Sequence, residues 1–198
     1  ESNRRTLEGM VGLHLDRNVL VDRSDVTEDN MMKGFDELFG ERDIALYDHF
    51  GSTEIQNILN RIRYMVKVCG ARYVFLDHLS ILISGLASND ERKLIDMAMT
   101  ALRTLVQETG AGLFLVSHLK RPQGDKGHED GASVHLGQLR GSHAIAQLSD
   151  AVIGLQKPED GSNEIELVVL KNRYSGEVGP AGTLDYNRAT GRLTEGVF

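Results

Sequence analysis

Two apolar runs in this sequence end in residues able to do phosphate chemistry. "YVFLD" (73–77) ends in Asp77, and "LFLVSH" (113–118) ends in Ser117 and His118. Between them lies "NDERKLIDMAMTALRTLVQETG" (89–110), with an Asn/Asp cap, early acids, a Leu/Ile/Met stripe and a terminal glycine, which predicts a helix. A strand, a crossover helix and a second strand run the two strands parallel. Asp77 and His118 then share one rim beyond the carboxyl ends of the strands, where open α/β sheets hold ligands. An aspartate there can hold Mg2+ through water, facing nucleotide phosphates. A neutral histidine beside it can donate a hydrogen bond to a phosphate oxygen and so register the terminal phosphate. Strands that merely end in polar surface residues are the plainer reading, which the crossover between these two ends disfavours.

Residues 119–134 ("LKRPQGDKGHEDGASV") follow His118 directly and show no periodicity. A loop of that length inside a compact domain is usually functional or disordered. It sets Lys120, Arg121 and Lys126 against Asp125, Glu129 and Asp130, so its net charge is near zero. Next comes "GQLRGS" (137–142), in which Arg140 precedes Gly141 and Ser142, whose backbone could approach a phosphate. Such loops suit single-stranded nucleic acid, held by its charged backbone rather than by base edges. A plain solvated loop is the alternative. Farther on, "LKNRYSG" (170–176) places Lys171 and Arg173 on one face of a strand end. That pair can reach a neighbouring subunit's phosphates as an arginine finger, or it can be edge-strand charge that deters aggregation.

Other chemistry finds little support. The seven histidines form no HExxH and no Cys/His pairing at metal spacing, which argues against zinc. "GHEDG" (127–131) reads as a charged turn. No GxSxG elbow occurs, and Cys69 in "VCG" reads as a core residue rather than a nucleophile.

The elements that must hold these groups can be read along the chain. Helical spacing covers 4–15 and 25–40, a short strand 43–48, and a capped helix 52–70. The strand 72–77, the helix 89–110 and the strand 111–118 follow. A short helix with its entry turn spans 136–150, strands span 151–156 and 164–172, and a hairpin spans 181–196. Buried central strands alternating with helices favour an α/β fold, a mostly parallel central sheet flanked by helices with an antiparallel C-terminal edge. No repeat, low-complexity stretch or interdomain linker interrupts the 198 residues, a length that supports one substantial core. The net charge of −7 argues against coating nucleic acid with the whole surface, yet leaves room for local basic loops. No apolar run is long enough for a membrane span, and no signal segment opens the chain. The single cysteine rules out an internal disulfide and fits a reducing compartment such as the cytoplasm.

Taken in order, "YVFLDHLSIL", "NDERKLIDMAMTALRTLVQETG", "LVSHLKRP", "LRGSHAIAQLSD", "LKNRYSGEVGPAG" and "LDYNRATGRL" resemble the motor domain of ring-forming replicative DNA helicases. The nearest likeness is to phage primase-helicases and mitochondrial twinkle, with DnaB-type enzymes more distant. The resemblance spans nearly the whole chain. It implies a RecA-like three-layer sandwich, a ring of subunits (a hexamer), and hydrolysis of ATP or dTTP with Mg2+. It also implies 5′-3′ movement on single-stranded DNA in a phage- or bacterium-like host cytoplasm. By motif match Asp77 is the magnesium-linked acid and His118 the phosphate sensor coupled to the DNA loop. Lys120, Lys126, Arg140 and Gly141 fall in segments resembling central-channel DNA loops. Arg173 resembles the arginine finger, with Lys171 as its partner cation. Glu1 lies at, or one place after, the glutamate that polarises the attacking water.

One family motif is missing, since no GxxxxGK[ST] occurs anywhere in the sequence. In the helicases that loop precedes the matching segment. Together with a first residue that is Glu and not Met, this leads to the expectation that 1–198 is a partial motor domain. The phosphate loop would then be carried by an N-terminal helicase fragment, and this chain alone would be inactive. Two rivals stand beside the helicase. One is a catalytically inactive RecA-like domain that binds single-stranded nucleic acid or a partner. The other is a recombinase or clock-type ATPase sharing the core, against which the "LRGSHAIAQLSD" match argues.

Overall fold

A computed structural model describes residues 2–41, 43–48, 55–83, 90–120, 127, 132–139, 143–158 and 164–196. In chain order the elements are α1 (Asn3–His14), α2 (Glu28–Phe39), α3 (Ile55–Lys67), β1 (Tyr73–Leu76), α4 (Leu79–Ile83) and α5 (Glu91–Thr109). They continue with β2 (Gly112–Leu115), a 3-10 turn (Leu136–Gln138), α6 (His143–Leu148), β3 (Ala151–Gln156), β4 (Glu164–Asn172), β5 (Gly179–Tyr186) and β6 (Leu193–Glu195). They form two compact units, one from Glu1–Phe50 with Thr183–Phe198, the other from Gly51–Gly182.

The larger unit carries the site residues that the structure describes, Asp77, His118, Lys120, Lys171 and Arg173. Its α5 starts where Asp90 accepts from Lys93 N at 3.1 Å, and it stops at Gly110, whose φ of 71° suits the residue without a Cβ. Leu94, Ile95, Ala98, Met99, Leu102 and Leu105 fall on one face of α5 and are buried. They meet Ile58, Leu59 and Ile62 of α3, Leu79, Leu82 and Ile83 of α4, and Ile145 of α6. From the sheet, Val74 and Leu76 of β1 and Leu113 and Leu115 of β2 pack against this cluster. The two strands pair in parallel from Tyr73↔Gly112 to Leu76↔Leu115, as a crossover through α5 requires.

Strand alternation turns the other side chains to the opposite face. Tyr73, Phe75 and Phe114 are 63%, 76% and 53% exposed there, and the Phe75 and Phe114 rings stack at 4.7 Å. The expected parallel core and antiparallel C-terminal edge are both present, as the pair β1-β2 and as a four-stranded sheet ordered β3-β4-β5-β6.

In the smaller unit, Ser2 and Thr27 cap α1 and α2 by accepting from Arg5 N and Asn30 N. Gly34 lets the helices close, since a Cβ there would lie 3.0 Å from Val11 Cγ1 and 3.1 Å from Leu15 Cδ2. The Arg192 guanidinium donates to Leu13 O at 3.0 and 2.7 Å, closing the end of α1.

Two expectations need correction, and one element, α4, lies outside them. Residues 43–48 are not a strand, and Ile44 and Tyr47 are exposed rather than packed into a sheet. "LSILI" after His78 is the helix α4, because Leu79, Leu82 and Ile83 stand at helical spacing and fill the core together. Cys69 is exposed rather than buried, lying beyond the end of α3.

Candidate functional site

The ladder between β1 and β2 is extended past their last paired residues, as Val116 N donates to Leu76 O at 3.0 Å and Leu79 N to Val116 O at 2.9 Å. Asp77 and His78 therefore leave β1 at the same end at which Ser117 and His118 leave β2. The rings of His78 and His118 meet edge to face, with centroids 4.5 Å apart and planes at 62°. Asp77 and His118 are exposed, and His78 is half-buried. His78 Nδ1 is buried with no hydrogen-bond partner among the described residues. The rim thus presents one carboxylate and a histidine steadied by a second ring. Sequence reasoning assigned no role to His78; its place directly after Asp77 was the available signal.

An exposed carboxylate is a hard oxygen donor, which suits Mg2+. Among the described residues no three His, Cys, Asp or Glu side chains cluster as a metal cage. A cation here would hang on Asp77 through water and on the phosphates of its nucleotide, the mode magnesium accepts more readily than calcium or zinc.

Immediately after His118 the chain is stitched to the second basic segment. Leu119 bridges Leu139 in antiparallel fashion, and Lys120 N donates to Gln138 O at 2.7 Å. Leu139 is buried in the core, so the stitch is anchored from below. The far end of the long loop is fixed as well. Val134 N donates to Gln156 Oε1 at 2.8 Å, and Gln156 Nε2 donates to Glu166 Oε2 at 2.7 Å. His135 N donates to Gln138 Oε1 at 2.7 Å. The two candidate nucleic-acid segments therefore leave a common base one residue from His118. Gln138 and Gln156, which make that base, carry no local sequence signal. Glu1, Arg121, Lys126, Arg140 and Gly141 lie outside the described residues.

Lys171 and Arg173 both turn toward the carboxyl end of α6. Lys171 Nζ donates to Ala146 O at 2.5 Å, Ser149 O at 2.8 Å and Gln147 O at 3.3 Å, which uses all three ammonium protons. Arg173 Nη2 donates to Gln147 O at 2.8 Å, and Nη1 lies 2.9 Å from Asp150 Oδ1. Cations are favourable at a helix carboxyl end, where unpaired carbonyls carry partial negative charge. Lys171 would have to leave three carbonyls to touch a phosphate, whereas Arg173 has five donors and uses two of its nitrogens here.

In the smaller unit, Ser2, Arg4, Arg5, Glu8, Val19, Leu20 and Arg23 line an open cleft of about 280 Å³. Glu8 Oε1 accepts from Arg4 Nε at 3.0 Å, and Glu8 Oε2 lies 2.5 Å from Arg23 Nη2. These two guanidiniums, Arg4 first, hold its carboxyl below the usual range. No sequence expectation falls on this cleft.

Residues 14–195 match the family described as DnaB-like helicase C-terminal domain. The DNA helicase/primase of Enterobacteria phage T3 is 39% identical over 98% of this chain and 35% of its own length. A probable plasmid replicative DNA helicase of Chlamydia trachomatis is 30% identical over 59% of this chain and 25% of its own length. The chain thus spans about a third or less of these relatives. A solved KaiC-like protein from Pyrococcus horikoshii superposes with a TM-score of 0.59 at 15% identity, covering 89% of this chain and 73% of that one. That likeness shows a shared RecA-like α/β fold.

Proposed function

We propose, from the premise that this chain belongs to the DnaB-like helicase C-terminal domain family, that it supplies the carboxyl part of a ring-forming motor that unwinds DNA in the 5′-3′ direction by hydrolysing ATP or dTTP. The observation that carries the reading is the common rim, where Asp77 and His118 emerge together and the loop base begins one residue later. Asp77 would hold Mg2+ through water, and the chemistry so supplied would be neutralisation of the charge that develops on the transferred phosphoryl group. His118 donates to the terminal phosphate oxygen. A shift of His118 reaches Leu119 and Lys120, and through their stitch to Gln138 and Leu139 it reaches the segment bearing Arg140 and Gly141. Lys120, Lys126 and Arg140 hold the DNA backbone. Arg173 acts across the subunit boundary on a neighbour's nucleotide, with Lys171 beside it. Glu1 or the residue before it orients the attacking water.

The phosphate-gripping loop has to come from a further segment, an N-terminal helicase fragment. Two features support this: no GxxxxGK[ST] occurs in the sequence, and the Tyr73, Phe75 and Phe114 face is open. Among the described residues β1 pairs with β2 on one side and with nothing on the other. A strand and a helix from the loop-bearing segment would complete both the edge and the face. The motor works in the host cytoplasm; among the described residues no helix is long and apolar enough to cross a membrane.

The test is nucleotide hydrolysis by the complete motor with and without single-stranded DNA, alongside separation of a forked duplex. DNA-stimulated hydrolysis with unwinding is the expected result. DNA binding without hydrolysis would establish the inactive binding domain instead. In the same assay Lys126→Ala lowers DNA affinity and reduces the salt slope by about one unit, the signature of one lost phosphate contact.

A further inference from the structure

At the junction of α6 and β3, one carboxylate stands between two guanidinium groups. Asp150 Oδ2 accepts from Arg103 Nη1 at 2.8 Å, and Asp150 Oδ1 lies 2.9 Å from Arg173 Nη1. The backbone fixes the same pair, because Arg173 N donates to Asp150 O at 2.8 Å just beyond the ladder pair Ala151↔Asn172. Oδ1 is buried, and the close approach of Nη1 falls short of hydrogen-bond geometry, so this oxygen is an acceptor aimed at Arg173 that a small turn of the guanidinium would satisfy. Gln147 O holds Nη2 at 2.8 Å.

Arg103 comes from α5, where its neighbour Leu102 is buried in the core, so the second guanidinium springs from a helix anchored in that core. Two guanidiniums against one carboxylate leave one net positive charge. Asp150 therefore orients Arg173 without cancelling the cation that a phosphate would meet. The Arg173 side chain is 39% exposed, and Nη1 and Nη2 face inward to the subunit's own acceptors. Its remaining N–H groups can be offered outward. An arginine on an unsupported stem would have to be immobilised at every encounter, and a planar fork held from behind avoids that loss.

We propose that Asp150 is the positioning residue of Arg173, clamping its guanidinium from within the subunit so that the remaining donors point across the subunit boundary, with Arg103 as the counter-cation that keeps the carboxylate in place. This rests on the reading of Arg173 as a trans-acting cation. The change Asp150→Asn would keep an oxygen for Arg103 but turn an amide donor toward Nη1, so donor would face donor. The change Asp150→Glu would keep the carboxylate.

The test compares Asp150→Asn, Asp150→Glu, Arg173→Ala and the double variant that combines Asp150→Asn with Arg173→Ala, all in the complete ring-forming motor. Assembly is followed by native mass spectrometry, and kcat and KM for nucleotide are measured separately. Asp150→Asn is expected to lower kcat about tenfold or more with KM within about twofold, in intact rings, and Asp150→Glu to recover part of that loss. Combined with Arg173→Ala, the Asp150→Asn change adds nothing further. The same fold-loss appearing in the Arg173→Ala background would mean that the carboxylate acts elsewhere, and would overturn the proposal. So would a normal kcat in Asp150→Asn beside a crippled Arg173→Ala, which would leave the trans reading standing. A normal kcat in Arg173→Ala would remove the trans reading and this proposal with it. Failure of both Asp150 variants to assemble would assign the carboxylate to the fold and overturn it too.

Discussion

Asp77→Ala in the complete motor abolishes nucleotide hydrolysis, by about a thousandfold or more, while rings still form. Asp77 is exposed at the end of β1, and the inward side chains that hold that strand are Val74 and Leu76. Removing the carboxylate deletes no core contact, so strand, rim and subunit surface survive. What disappears is the carboxylate that, on the proposed reading, holds a hydrated cation against the phosphates. Steady-state hydrolysis and native mass spectrometry read the two halves of the prediction. Ordinary turnover in the variant would take Asp77 out of the reaction.

Arg173→Ala lowers kcat by about a thousandfold, the lower end of what an arginine finger supplies, and leaves nucleotide binding within about tenfold. Its signature is that the loss belongs to the neighbour's site. An Arg173→Ala subunit keeps Asp77, and an Asp77→Ala subunit keeps Arg173. Mixed rings of the two inactive variants therefore contain boundaries at which one subunit supplies the acid and the next the cation, and hydrolysis returns in proportion to those boundaries. Mixtures that stay as inactive as either parent would place Arg173 in its own subunit's chemistry or outside it. The structure separates Arg173 from Lys171 here. The lysine ammonium is fully occupied by Ala146, Gln147 and Ser149 carbonyls, so its first task is to hold the end of α6. Because α6 begins just after the Arg140 segment, that short helix would join the proposed DNA-holding segment to the Arg173 guanidinium, which its Gln147 carbonyl holds.

Much of this was legible because it is local. The Asn/Asp cap, the Leu/Ile/Met stripe and Gly110 announced α5, and a crossover helix of that length forces β1 and β2 parallel, which brings Asp77 and His118 to one rim. Strands β3 and β4 stand at the residues where apolar runs predicted them. What escaped notice is held by partners distant in sequence. Arg103 and Asp150 are 47 positions apart, and Gln156 reaches back 22 positions to Val134. No periodicity encodes such pairs. Residues 43–48 read as a short strand but take no strand conformation in the structure, and a strand exists only where a neighbour pairs with it. No predicted element covers "LSILI", which follows a strand directly, though its spacing is helical. Cys69 shows that an apolar-looking flank does not guarantee burial once a helix has ended.

If Asp77 and His118 look together at a bound triphosphate, a cation held there must be felt by the histidine rings. The direct measurement loads the complete motor with nucleotide and Mn2+ in place of Mg2+ and records the side-chain NMR signals of selectively labelled histidines. The paramagnetic ion is predicted to broaden His118 and its ring partner His78, and Asp77→Ala is predicted to restore both signals. Sharp His118 and His78 resonances in the presence of bound Mn2+ and nucleotide would contradict that shared view of the phosphates, and the motor reading of this rim would fall with it.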